Sequence, residues 1–117
     1  MKMPRVACTL FAALLISLTI AFSAFVPLVW AKSHTITEFQ IPTSNSSPES
    51  ITSGPDGNLW FTEWGVNKVG RVTPSGTFTE FPIPTPNSFP TAITSGPDGN
   101  LWFTEGQGNK IGRITLR

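Results

Sequence analysis

The chain has 117 residues, a formal charge of +1, eleven prolines, ten glycines and a single cysteine. Residues 1–31 hold that cysteine with Lys2 and Arg5, so residues 32–117 keep six Lys or Arg against seven Asp or Glu, all ten glycines and one alanine, Ala92. This excludes a disulfide framework in residues 32–117, argues against a nucleic-acid footprint or a polybasic lipid-binding face, and makes helix a poor expectation there.

Val6 to Ala31 is an uncharged run of twenty-six residues rich in Leu, Ala, Ile and Phe, preceded by Lys2 and Arg5. It reads as an export segment. Pro27 and the residues Val29-Trp30-Ala31 suit cleavage after Ala31, giving a secreted or cell-envelope protein; a run of this length also suffices for an uncleaved N-terminal membrane anchor, since about 20 apolar residues span a bilayer. Cys8 lies inside the run, where a small apolar role suits it. His34, the only histidine, follows just after.

From residue 34 onward the chain repeats with a period of 42. Ile51–Glu63, ITSGPDGNLWFTE, returns unchanged at Ile93–Glu105. Upstream, Thr37-Glu38-Phe39 answers Thr79-Glu80-Phe81, Ile41-Pro42-Thr43 answers Ile83-Pro84-Thr85, and Asn45, Ser46 and Pro48 answer Asn87, Ser88 and Pro90. Downstream, Asn67–Thr73 returns as Asn109–Thr115 with only Val and Ile exchanged. A recent duplication and a shared structural demand explain this equally well. Both copies should fold alike, and a period of this size with turn clusters and aromatic strands predicts β-propeller blades.

Within one period the spacing predicts four antiparallel strands, Glu49–Ser53, Asn58–Glu63, Lys68–Thr73 and Thr77–Pro82, with Gly54-Pro55-Asp56-Gly57 and Pro74-Ser75-Gly76 as turns. Asp56 and Asp98 are assigned to those turns. Leu59, Trp60 and Phe61 are consecutive, and consecutive strand residues point to opposite faces, so both faces of the sheet are apolar. A two-layer sandwich would bury only one; a blade between two neighbours buries both. Phe81-Pro82-Ile83-Pro84-Thr85-Pro86 ends the outermost strand with residues that cannot donate to a further one. Ile36–Ile41 is the equivalent fourth strand of an earlier period. The expected architecture is thus all-β, with eight strands or about two blades in residues 32–117, after the N-terminal signal or anchor helix of residues 1–31. Two blades leave apolar faces open, so further blades or self-association should cover them, for example three or four copies closing a ring in which the first strand of one completes the last blade of the next.

The runs Gly-Pro-Asp-Gly-Asn-Leu-Trp-Phe-Thr-Glu, Asn-Lys-Val-Gly-Arg-Val-Thr and Thr-Glu-Phe-Pro-Ile-Pro-Thr-Pro resemble the repeat of the streptogramin lyase family, also called virginiamycin B lyases. The resemblance covers residues 36–117 and implies a seven-bladed propeller around a channel. It further implies a carbon–oxygen lyase, magnesium-dependent, that opens the ring of type B streptogramin antibiotics by elimination at the ester, with a small-molecule ligand and no nucleic acid. In the family the base is a histidine in a Pro-His-Gly-Ile segment, aided by a glutamate after the next aromatic strand. The matching segments are Pro48-Glu49-Ser50-Ile51 and Pro90-Thr91-Ala92-Ile93, so Glu49 and Thr91 stand where the histidine would be, and the glutamate would fall near Trp64 or Gly106. No residue is therefore assigned a catalytic or cofactor-binding role.

The remaining candidates are polar. Glu63 and Glu105 end the second strands beside Lys68, Arg71, Lys110 and Arg113, which reads either as exposed ion pairs or as a polar ring at a channel rim. Glu49, opening an innermost strand, is the candidate for a metal contact. Trp64, replaced by Gly106 in the second copy, reads as a ligand contact or a loop cap. Two functions stand: a lyase-type propeller, and a secreted propeller-type binding module without chemistry of its own.

Overall fold

The computed structural model describes residue 27 and residues 29–117. The predicted signal or anchor helix lies outside them, apart from a few exposed coil residues before Lys32. Thr37–Arg117 forms one compact unit.

Seven strands are present among the described residues: β1 Pro48–Ser53, β2 Leu59–Glu63, β3 Lys68–Val72, β4 Phe78–Pro82, β5 Pro90–Ser95, β6 Leu101–Glu105 and β7 Lys110–Ile114. They make a four-stranded sheet in the order β1-β2-β3-β4 and a three-stranded sheet in the order β5-β6-β7. Every pairing is antiparallel between chain neighbours, and the second sheet repeats the register of the first. These are the predicted blades, with strand ends moved by a residue or so.

Ile36–Ile41 departs from expectation, for it is coil and not an eighth strand. The reason is a missing partner. A fourth strand is held only by the third strand of its own blade, as β4 is by β3, and no such strand lies beside it among the described residues.

Local chemistry sets the turns. After β1, Gly54 N–H donates to the Asn58 carbonyl at 2.8 Å and Gly57 takes φ +77°, which a residue with a Cβ adopts only under strain. Asp56 accepts from the Asn58 backbone N–H, the Asn58 amide and the Trp60 indole N–H, so one carboxylate ties the turn to the aromatic core. Asp98 does the same for Asn100 and Trp102. The indole bond and those from Asn100 hold the Asp98 carboxyl at a pKa of about 2. Mid-blade, the outer end of the Phe61 ring comes up against Gly70, where a Cβ would collide with it; Phe103 and Gly112 repeat the contact.

The core lies between the sheets. Trp60, Val69 and Ile83 from the first blade and its connector meet Ile93, Leu101 and Phe103 of the second. Trp60 stacks on Phe81 at 5.4 Å, with the Arg71 guanidinium 5.7 Å from the indole. Ser95 Oγ donates to the Ser53 carbonyl, and Thr62 Oγ1 to the Thr91 carbonyl at 3.3 Å, so polar bonds also cross between blades.

Candidate functional site

Glu49, Glu63 and Lys68 fall at the end of the first blade where β1 starts and β2 stops, and Glu105 and Lys110 at the same end of the second. The β1–β2 register shifts between Pro48 and Ile51, leaving Glu49 and Ser50 in a bulge; β5 has the same bulge at Thr91 and Ala92. A bulge frees ladder groups, and here a threonine takes one up: Ser50 N–H donates to Thr62 Oγ1 at 3.1 Å, and Ala92 N–H to Thr104 Oγ1 at 3.1 Å. Bulges re-aim side chains and are enriched beside active sites. In the first blade the re-aimed residue is the exposed Glu49; in the second it is Thr91, whose hydroxyl bonds Thr104 Oγ1 at 2.9 Å.

The carboxylate at the end of β2 is not the exposed ion pair that its position suggested. Glu63 is wholly buried, and no donor reaches either of its oxygens. Lys68, opposite it in register, turns to Glu80 of β4 at 3.5 Å and donates to Thr43 Oγ1 at 2.9 Å; Thr43 in turn donates to Glu80 at 2.8 Å. Burial pushes the Glu63 carboxyl up to about 7, the neighbouring Glu80 adds to this, and Lys68 opposes it only in part. Burial also acts upward on Glu80, but the bonds from Thr43 and Glu63 and the Lys68 ammonium hold it below its ordinary value. The two carboxyls are thus pushed in opposite directions, Glu63 toward the protonated form, in which it can donate to Glu80, and Glu80 toward the charged form.

Other candidates disperse. Arg71 lies over Trp60 and donates to Thr79, and Arg113 lies over Trp102, 4.0 Å from Asp98. Lys110 donates to Thr85 Oγ1 at 2.9 Å, and Glu105 is buried with Oε2 unpartnered. Of the six proposed rim residues, Glu63 thus stands with Lys68 and, in the second blade, Glu105 with Lys110, each pair opposed in register and the latter lining one shallow pocket, while the two arginines lie elsewhere. Trp64 tilts against Phe89 at 4.8 Å, across the connector to the second blade, which is the loop-capping arrangement. His34 is exposed coil outside any strand.

Magnesium favours an octahedral oxygen shell with one or two carboxylates and retained water. The described residues do not fit that group: they hold no cluster of three His, Cys, Asp or Glu, Glu49 belongs to none, and the Glu63–Glu80 pair already faces a proton and the Lys68 ammonium.

Sequence reasoning missed Glu80 and Asn67. Asn67, at φ +59°, donates through its amide to the Ile83 and Thr85 carbonyls and accepts from the Ser88 N–H and hydroxyl, fastening the connector between blades. The trace of both was present in the recurrence of Glu38 with Glu80, Asn67 with Asn109 and Ser46 with Ser88.

A family profile described as the Virginiamycin B lyase family matches residues 30–117. A virginiamycin B lyase from Bacillus licheniformis is 51% identical over 41 residues, 35% of this chain and 14% of that protein. Among solved structures, the selenomethionine-substituted virginiamycin B lyase from Staphylococcus aureus is 57% identical with a TM-score of 0.69, over 74% of this chain and 29% of that one. A catalytically inactive virginiamycin B lyase from the same organism, solved with quinupristin, is 58% identical with a TM-score of 0.69, over 73% and 29%. The chain thus spans less than a third of the length of these relatives.

Proposed function

The chain belongs to the virginiamycin B lyase family, and we propose that it contributes two blades of a streptogramin-binding propeller, supplying framework and ligand-facing surface but not the general base. The observation that carries this reading is the bulge at the start of each innermost strand. It presents Glu49 and Thr91 at the position where the family pattern resembled above places a histidine. A carboxylate of ordinary exposure and a threonine are poor replacements for a base with a pKa near the working pH. Glu63, whose carboxyl does lie near 7, is sealed from any ligand proton. The 58% identity to a lyase solved with quinupristin supports the ligand class.

The test is incubation of the chain with quinupristin and magnesium. Elimination opens the ring at the ester without changing the mass, so the reaction is read as a new chromatographic peak of unchanged mass, whereas hydrolysis would add one water. Saturable binding in calorimetry without the new peak is the expected result. A ring-opened isomer would overturn the non-catalytic part, and absence of any heat of binding would overturn the ligand class. Export through residues 1–31 belongs to the same proposal; N-terminal sequencing of the exported protein should begin at Lys32, and retention of Met1 in a membrane fraction would favour the anchor.

A further inference from the structure

The hydroxyl of Thr62 joins the bulge of one blade to the bulge of the next. Thr62 and Thr104 are equivalent residues of the repeat, and each accepts an N–H that its own bulge frees, from Ser50 and from Ala92, at 3.1 Å in both cases. Beyond that bond the two differ. Alternate strand residues share a face, so Thr62 lies on the Trp60 side of β2, and that side meets the second blade. There it is fully buried, with Oγ1 lying 3.3 Å from the Thr91 carbonyl oxygen.

A threonine hydroxyl carries one proton and two lone pairs, so a hydroxyl that accepts from Ser50 still has its proton to place. The Thr91 carbonyl takes it, and the direction of the relay is fixed: Ser50 N–H to Thr62 Oγ1, then Thr62 O–H to Thr91 C=O. Thr91 is a residue that needs such a hold. The β5–β6 ladder pairs Pro90 with Glu105 and Ile93 with Phe103 and passes over Thr91 and Ala92, so sheet register does not set the backbone there. Two side chains do this instead. Thr104 of the same blade meets the Thr91 hydroxyl at 2.9 Å, and Thr62 of the preceding blade holds the Thr91 carbonyl. One bond fixes the side chain and the other the backbone that carries it, at the position where the family pattern has a histidine.

We infer that Thr62 is a positioning residue: it touches no ligand, and through its hydroxyl the first blade sets the backbone at Thr91 and so the direction in which the bulge of the second blade presents its side chain. A bulge is then aimed by the blade before it as well as by its own sheet. Re-aiming of side chains is what bulges do, and a bulge without a ladder partner keeps one aim only when other bonds hold it. The consequence for a ligand rests on the reading proposed above; the consequence for the geometry of the bulge does not.

The experiment compares Thr62→Val, which keeps the branched shape and loses the hydroxyl, with Thr62→Ser, which keeps the hydroxyl. Ser95→Ala is the control, since it cuts another side-chain bond between the blades, to the Ser53 carbonyl, at the far end of the strands. Amide exchange at Ala92, taken as a ratio to that at Phe103 in the middle of β6, should rise roughly tenfold in Thr62→Val and stay near native in the other two. Ala92 keeps its own acceptor, Thr104, in all three, so a purely local loss at Ser50 would not move that ratio. Quinupristin affinity by calorimetry should fall roughly tenfold in Thr62→Val and return in Thr62→Ser, because a small misplacement of a contacting group is costly. In the unsubstituted chain the Thr62 hydroxyl proton should exchange slowly enough to be seen by NMR, and exchange at the solvent rate overturns the proposal even if Thr62→Val does not fold. An unchanged Ala92 ratio in a folded Thr62→Val overturns the positioning role whatever the binding. Unchanged affinity beside a raised ratio overturns its consequence for the ligand. A native chain that binds no quinupristin refutes the ligand class instead, and the exchange ratio still decides the role of Thr62.

Discussion

Leu59 and Leu101 occupy the same place in two copies of one thirteen-residue sequence, yet Leu59 is 38% exposed and Leu101 is fully buried. Ile51 and Ile93 differ in the same way, at 62% and 7%. On the opposite faces the inequality reverses, with Val69 buried in the first blade and Ile111 open in the second. Local sequence therefore specifies the blade, and neighbours specify which of its faces contributes to stability. The first blade lends its Trp60 face to the shared core and keeps Ile51 and Leu59 of the other face open; the second buries the equivalent Ile93 and Leu101 and leaves Ile111 open.

The largest test of that difference is truncation. Leu101→Ala removes a wholly buried side chain from the shared core and should cost about 3 kcal/mol, whereas Leu59→Ala should cost roughly 1 kcal/mol or less in dilute solution. Urea denaturation of the two variants checks it. Equal losses in dilute solution would mean that the open face is covered in some way other than by a concentration-dependent partner. A Leu59→Ala loss that grows with protein concentration would sharpen the comparison into a statement about docking.

How much of this was legible beforehand follows the same division. The turns were readable because Gly-Pro-Asp-Gly encodes them locally, and the two-sided core was readable because Leu59, Trp60 and Phe61 are consecutive. Ile36–Ile41 carries a strand-like pattern and is coil, since strand formation there depends on an edge that the pattern does not contain. The β-bulge at Glu49 and Ser50 was not readable, because Pro-Glu-Ser-Ile alternates normally and the compensating group, Thr62, is distant in sequence. Glu63 was misjudged for a related reason. A carboxylate at a strand end reads as exposed, and only the arrival of Glu80 and Thr43 from β4 and the preceding segment shows that it is enclosed.

That enclosure gives the first blade a pH dependence. Glu63 is raised from 4.5 to about 7, so the folded state binds its proton more tightly than the unfolded state does. The stability this contributes is fully present below pH 4.5 and is lost as the pH rises through about 7, a decline on the order of 3 kcal/mol at most. Glu80, Asp56 and Asp98 are lowered and act with opposite sign, their contribution being lost only as the pH falls through their folded values. Glu63→Gln should flatten the decline between pH 5 and 8, read from denaturation midpoints at each pH. Glu80→Gln should shrink it, because one of the two upward influences on Glu63 is gone. An unchanged slope in both variants would show that the Glu63 carboxyl is not the group responsible.

The smallest expected effect separates two uses of one aromatic residue. Trp64 is the largest side chain that the first blade has and the second lacks, Gly106 standing in its place. Its ring lies 4.8 Å from Phe89 and remains 39% exposed, so it covers the connector between blades without entering the core. Trp64→Gly gives the first turn the residue that the second has at that place. If the ring only caps that connector, the variant should lose about 1 kcal/mol, the value of one tilted aromatic pair at a partly open site, and leave quinupristin binding unchanged. Loss of binding with stability intact would move Trp64 from the framework to the ligand surface, and would make the difference between the two turns a functional one.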